Sequence, residues 1–147
     1  MSVQAQLVHA TGIVVVTVLT HLVGLAILLA LLRRHKRMRT RLLTAVGNAL
    51  VVLSSAIGLF ALHTVEIWTW ALAYRHLDLL PDFEQALYFS TSTYVTIGYG
   101  DIVLPVNGRI FGAIEGANGI ILLGWSTAFF FGIVDRLKLL ERELSKD

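Results

Sequence analysis

Thr96-Ile97-Gly98-Tyr99-Gly100-Asp101 combines residue types that can turn a polypeptide backbone into a ligand. Consecutive carbonyls point inward along one axis only where some residues take dihedrals that a Cβ disfavours, and glycine takes them at little cost. Gly98 and Gly100 alternate with Ile97 and Tyr99, whose side chains must then pack outward, and the Thr96 hydroxyl can add an oxygen at the inner end. Several copies around an axis would make a ladder of oxygens able to replace the hydration shell of a dehydrated cation.

The elements that must position this segment are those of a membrane protein. Of the 147 residues, 56% are hydrophobic and only 15% charged, and three apolar runs are long enough to cross a bilayer, which excludes a soluble domain. There is no cysteine, so disulfides and thiolate metal sites are impossible. Six of the twelve Lys and Arg residues fall within residues 33–41, Arg33-Arg34-His35-Lys36-Arg37-Met38-Arg39-Thr40-Arg41. Between two spans this run reads as a cytoplasmic loop obeying the positive-inside rule rather than as a nucleic-acid patch. It could also hold anionic lipid head groups. Met1 to Gln6 carry no charged side chain, so a secretory signal peptide is rejected. A retained first span with its N-terminus outside is expected, placing the C-terminus in the cytoplasm.

In chain order, the first span is expected from Leu7 to Leu32, with His9 and His21 as helix-packing or interfacial residues. The second runs from Leu42 to Tyr74, longer than a bilayer needs. Trp68, Trp70 and Tyr74 suit an interfacial belt at its outer end. Arg75 to Pro81 forms an outer turret. A short helix follows from Phe83 to Val95, its start marked by Asp82 and Glu84, which complement the exposed amides and the positive helix end. It is too short to cross, so it dips in and returns. Irregular backbone at membrane depth is tolerated only where protein buries it or it lines a water-filled path, which places residues 96–101 at a protected axis. The third span runs from Asn107 to Val134 and the tail from Asp135 to Asp147. Ile133, Leu137, Leu140 and Leu144 are spaced as a coiled-coil seam that could bundle the tails.

From about Ala86 to Gly124 the chain resembles the pore-loop potassium channels, whose filter loop strips and coordinates the ion. The resemblance implies an all-α membrane fold: an outer helix (residues 42–74), a re-entrant pore helix (83–95), a selectivity filter (96–101) and an inner helix (107–134). Residues 1–41 add an N-terminal transmembrane helix and basic loop that minimal two-span members lack. It implies a homotetramer, since one filter loop cannot encircle an ion, and K+ bound along Thr96, Ile97, Gly98, Tyr99 and Gly100 with no organic cofactor. The compact chain resembles prokaryotic members, so an inner or plasma membrane is expected.

The same resemblance assigns supporting residues. Tyr88 and Phe89 stand where such channels place aromatics that brace the filter, Thr93 looks like one of the family's threonines, and Asp101 follows the filter as in the family. Ser92 stands where minimal bacterial members often carry an acid, and Val95 where many carry a threonine. Two acids could take the supporting role. His63, Glu66 and Trp70 share one face of the second span, which either clamps the pore helix from behind or sits at the wetted interface; a metal site at His63 and Glu66 is a lesser alternative, with only two ligands in sight. Glu115, on one face with Asn118, either meets the pore helix or raises the cation concentration near the cavity. Register from the filter places Gly119 at the family's hinge glycine, with Gly124 as a second bending or close-packing point. Ile120, Leu123, Thr127 and Phe131 are spaced to line the cavity, and Phe131 could form an apolar gate.

No phosphate loop, His-Glu-x-x-His or nucleophile elbow is present, so an enzyme is not expected. Span one has no arginines through its apolar core, which argues against voltage sensing. A potassium-selective channel is the leading reading. A weakly selective cation channel and a non-conducting sensor or scaffold subunit are the alternatives, and the intact Gly-Tyr-Gly speaks against both.

Overall fold

The computed structural model describes residues 1–36 and 44–144, with side chains for 1–33 and 46–137. The described residues form four α-helices and one 3-10 turn: α1 (Val3–Lys36), α2 (Thr44–His76), α3 (Phe83–Tyr94), the turn Val106–Gly108 and α4 (Arg109–Leu144). Helices α1, α2 and α4 are each long and apolar enough to cross a membrane. With 34 residues, α1 extends about 50 Å at ~1.5 Å per residue, well beyond the ~30 Å hydrocarbon layer.

Helix ends differ from the sequence expectation: α1 runs from Val3 to Lys36, beyond the expected Leu7 to Leu32. Helix α2 continues through Arg75 and His76, two basic residues that complement the negative C-terminal end, so the turret begins later. Helix α4 runs without interruption through residues 135–144, so the charged tail is a continuation of the inner helix. No glycine or proline breaks residues 133–144, and Leu, Lys, Arg and Glu are all good helix formers.

The seam on this extension is also used differently. Ile133 and Leu137 are buried against Val51 of α2, with Leu32 and Phe129 packed around them. These positions serve packing within the chain, while Leu140 and Leu144 lie outside the described side chains. The basic run is described only at Arg33, which is exposed; the lipid contact expected at residues 34–41 lies outside the described side chains.

Helix α3 is wedged between α2 and α4, and α1 packs against α2, α4 and the 3-10 turn. The core joins Trp70, Tyr74, Tyr94, Phe111 and Leu122, all fully buried. Phe111 meets Trp70 and Tyr74 edge-on at centroid distances of 5.0 and 5.3 Å, a favoured aromatic geometry. Trp70 and Tyr74 are therefore core residues and not part of an interfacial belt, because they lie on the α2 face turned to α4. Trp68, two positions before Trp70, is half exposed.

Polar contacts dock α1. Gln6 is buried, and its Oε1 accepts from the Ile110 and Phe111 amides at 3.1 and 3.3 Å. It thereby satisfies donors that the first turn of α4 leaves without helical partners. Deeper in, Asn118 Nδ2 donates to Thr17 Oγ1 at 2.9 Å. Between α1 and α2, a Cβ on Gly24 would stand 2.5 Å from Leu62, and one on Gly58 2.8 Å from Leu28. This is reciprocal leucine-into-glycine packing, which lets membrane helices approach closely.

Thr17→Val leaves the buried Asn118 amide short of its acceptor and is expected to cost about 1 kcal/mol. The thermal midpoint of purified protein in detergent should fall, and Thr17→Val with Asn118→Leu should recover part of the loss. Unchanged midpoints would show that α1 does not dock through this bond.

Candidate functional site

The site begins at the end of α3. Asp82 caps the helix, its Oδ1 accepting from the Gln85 amide at 2.8 Å while Gln85 Nε2 donates to Oδ2 at 2.9 Å. This is a variant of the reciprocal capping box. At the other end the chain leaves the helix by folding onto its last carbonyls. Thr96 N donates to Thr93 O at 3.0 Å, and Ile97 N and Gly98 N donate to Ser92 O at 2.9 and 3.1 Å. Ser92 and Thr93 thus hold the start of the 96–101 segment through their backbones.

From there φ alternates in sign. Thr96, Gly98 and Gly100 have φ of 63°, 56° and 79°, while Ile97 and Tyr99 between them do not take positive values. Carbonyls of an extended chain alternate sides; reversing φ at every second residue turns alternate peptide planes over and can bring successive carbonyls to one side. A Cβ on Gly98 or Gly100 would meet nothing within 4 Å. These glycines are needed for their backbone conformation and not for space. Thr96 adopts the same region despite its β-branch, a strained conformation that its bond to Thr93 helps hold. Residues 96–101 are exposed in the single chain.

At the outer end, the Tyr88 hydroxyl donates to Asp101 Oδ2 at 2.7 Å. That bond holds the Asp101 carboxyl below the ordinary carboxylate range and raises the Tyr88 phenol. Phe89, next to Tyr88, meets Tyr74 edge-on at 5.1 Å, so it braces α3 against α2.

Two buried carboxylates stand behind α3. Glu115 accepts from Tyr74 of α2 and from Ser90 of α3, both at 2.5 Å, and the Ser90 hydroxyl also lies 2.9 Å from the Ile67 carbonyl. Glu115 therefore faces α3, the first of the two placements expected for it. Glu66 accepts from the Tyr94 hydroxyl at 2.5 Å, from His63 Nδ1 at 2.9 Å and from His21 Nδ1 at 2.8 Å. Glu66 is fully buried, so it is not at a wetted interface. His21 is likewise buried, drawn to Glu66, and is more than a packing residue. His63 Nε2 lies 2.8 Å from Ser126 Oγ, which brings α4 into the same cluster.

On α4, a Cβ at Gly119 would lie 2.1 Å from the Tyr94 carbonyl oxygen. Helix α4 thus approaches the end of α3 so closely that only glycine fits, and Gly119→Ala would disturb this packing. Helix α4 is continuous through Gly119 and Gly124, and Gly124 has open space around it. Ile120, Thr127 and Phe131 are exposed, the Thr127 hydroxyl donates to the Leu123 carbonyl at 2.8 Å, and Leu123 packs partly into the core.

Sequence reasoning passed over Gln6, Thr17, Ser90, Tyr94 and Ser126 as site residues. Each is a buried polar group in an apolar helix, and such groups require partners. That cost was the available signal, although it names no partner.

Tyr88→Phe is expected to move the Asp101 titration up toward the ordinary carboxylate range, read from its side-chain carboxyl NMR shift. In the parent protein the lowered value means that the stabilisation from this bond is present above the ordinary range and lost as pH falls through the lowered one. An unmoved midpoint would show that the bond does not form.

A family model described as "Ion channel" matches residues 49–136, from the first part of α2 through α3 and the filter segment to the Arg136 turn of α4. No curated protein and no solved structure matches the chain. With more than half of its length matched, and three membrane-spanning helices around a re-entrant helix, the chain belongs to the pore-loop ion-channel family and is an integral membrane protein.

Proposed function

We propose that four copies of the chain form a potassium-selective channel that passes K+ passively across the membrane. The observation that carries this reading is the alternating φ at Thr96, Gly98 and Gly100, in a segment that begins directly at the C-terminal end of α3. Backbone carbonyls of Thr96, Ile97, Gly98, Tyr99 and Gly100, with the Thr96 hydroxyl, are the K+ ligands. Potassium needs many neutral oxygens at once, and carbonyl rings supply them without trapping the ion behind a fixed charge.

Several features support the assignment. The negative end of the α3 dipole lies at the inner end of the filter and favours a cation there. Asp101, Asp82 and Glu84 add negative field at the outer mouth. The exposed, apolar Ile120 and Phe131 and the exposed Thr127 on α4 suit the wall of a central cavity, with Phe131 as its apolar constriction. Gly119 and Gly124 are the candidate bending points. Tyr88, Phe89, Ser92, Thr93, Glu66 and Glu115 hold the filter and its helix. The N-terminus lies outside and the C-terminus in the cytoplasm, as the basic run after α1 requires.

Purified protein in liposomes loaded with K+ should sustain barium-sensitive K+ flux and exclude Na+. Equal flux of both ions would favour a weakly selective cation channel. Tetramers that pass neither ion under any gradient would favour a non-conducting subunit that keeps the pore fold.

A further inference from the structure

His21, His63 and Glu66 place three metal-ligating side chains together inside the protein, their donor atoms all within 4.8 Å of one another. Holding Tyr94 requires only the Glu66 carboxylate, so the two imidazoles exceed what support of the filter demands. We propose that His21, His63 and Glu66 form a binding site for a transition-metal dication of the Zn2+ class.

The donor chemistry selects the ion. Two imidazole nitrogens and one carboxylate oxygen suit Zn2+ and its borderline neighbours, whereas Ca2+, Mg2+ and K+ call for oxygen ligands throughout. Charge argues the same way. A carboxylate in the membrane interior requires a cationic or strongly donating partner, and the ionic partners of Glu66 among the described residues are the two histidines.

The cluster is also pre-arranged. His21 and His63 each stand within 2.8–2.9 Å of a different Glu66 oxygen. A tetrahedral ion at ~2.0–2.1 Å from its ligands spaces them about 3.3 Å apart, so each His–Glu66 contact opens by about half an ångström within a donor set that already lies within 4.8 Å. Two of the three ligands, His63 and Glu66, have the outer partners that ligands need. Ser126 Oγ lies 2.8 Å from His63 Nε2, ready to accept its proton when Nδ1 binds the ion, and the Tyr94 hydroxyl orients Glu66. Such partners fix the tautomer and direction of metal ligands. His21 Nε2 is buried without a hydrogen-bond partner, an imidazole nitrogen that the hydrogen bonds leave unused. Entry is at His63, whose side chain is 12% exposed while the other two are fully enclosed. A bound ion would tie α1 to α2 and, through Tyr94 and Ser126, to α3 and α4.

The test is Co2+ titration of the chelator-washed full chain in lipid nanodiscs. The expected result is one Co2+ per chain with the strong visible absorption of low-coordinate cobalt, displaced by Zn2+, and a thermal midpoint raised by the ion. His21→Ala and Glu66→Gln should each weaken binding more than tenfold, and Ser126→Ala about tenfold. His9→Ala and His76→Ala, outside the cluster, should leave it unchanged. Because Glu66→Gln also removes a structural bond, X-ray absorption of the Zn2+-loaded parent protein reads the ligands independently and should find two imidazoles. No stoichiometric uptake, uptake unchanged in His21→Ala, or a six-coordinate all-oxygen spectrum would overturn the proposal and leave the cluster as a hydrogen-bond network. None of these readouts depends on ion conduction.

Discussion

The structure depends on the requirement that irregular backbone at membrane depth be held by protein. Helix α3 is 12 residues long and cannot span, and the segment after it leaves helical geometry where lipid offers no hydrogen bonds. Two carboxylates buried behind α3 meet this requirement. Glu115 grips Ser90 at the middle of the helix and Glu66 grips Tyr94 at its last residue. Between them they set where Ser92 and Thr93 stand, and those carbonyls in turn receive the amides of Thr96, Ile97 and Gly98. Through α3, the backbone of residues 96–98 is thus tied to α2 and α4. Both carboxylates are fully buried; such groups in a membrane are expensive and are retained where they do specific work.

The additional N-terminal helix takes part in this arrangement. Helix α1 makes no backbone approach to α3 among the described residues. It reaches α2 and α4 around α3 through side chains, with His21 on Glu66, Thr17 on Asn118 and Gln6 on the first amides of α4. A peripheral helix held only by apolar packing would compete with lipid, which is equally apolar. Buried polar contacts give α1 a unique register, so movement of α1 can be felt at Tyr94 and Ser126.

Much of this was legible in the sequence. Apolar run length marks the three spans, and the Asp82 cap with a short aromatic helix marks α3. The glycine alternation at 98 and 100 anticipates the positive φ values, because few residues other than glycine take that region cheaply. Thr96 shares it without such a signal, since a β-branched residue there is disfavoured. The common face of His63, Glu66 and Trp70 was readable from helical spacing, but its partners were not. His21 and Tyr94 lie 45 and 28 residues from Glu66, and nothing local encodes which span turns toward which. For the same reason Trp70 and Tyr74 look interfacial by position, although the packing of α2 on α4 buries them. Helix α4 overran its expected end because charge alone does not stop a helix; capping residues or proline do.

Buried hydrogen bonds behind α3 hold the geometry of the segment that follows it. The most direct measurement is the K+ to Na+ permeability ratio in liposomes for Tyr94→Phe and Glu66→Gln, singly and together. Tyr94→Phe deletes the donor of this bond and Glu66→Gln replaces its charged acceptor with a weaker amide oxygen, so each should lower the ratio and the double variant should fall no further than the worse single one. Ratios equal to the parent's, or losses that simply add, would contradict the account.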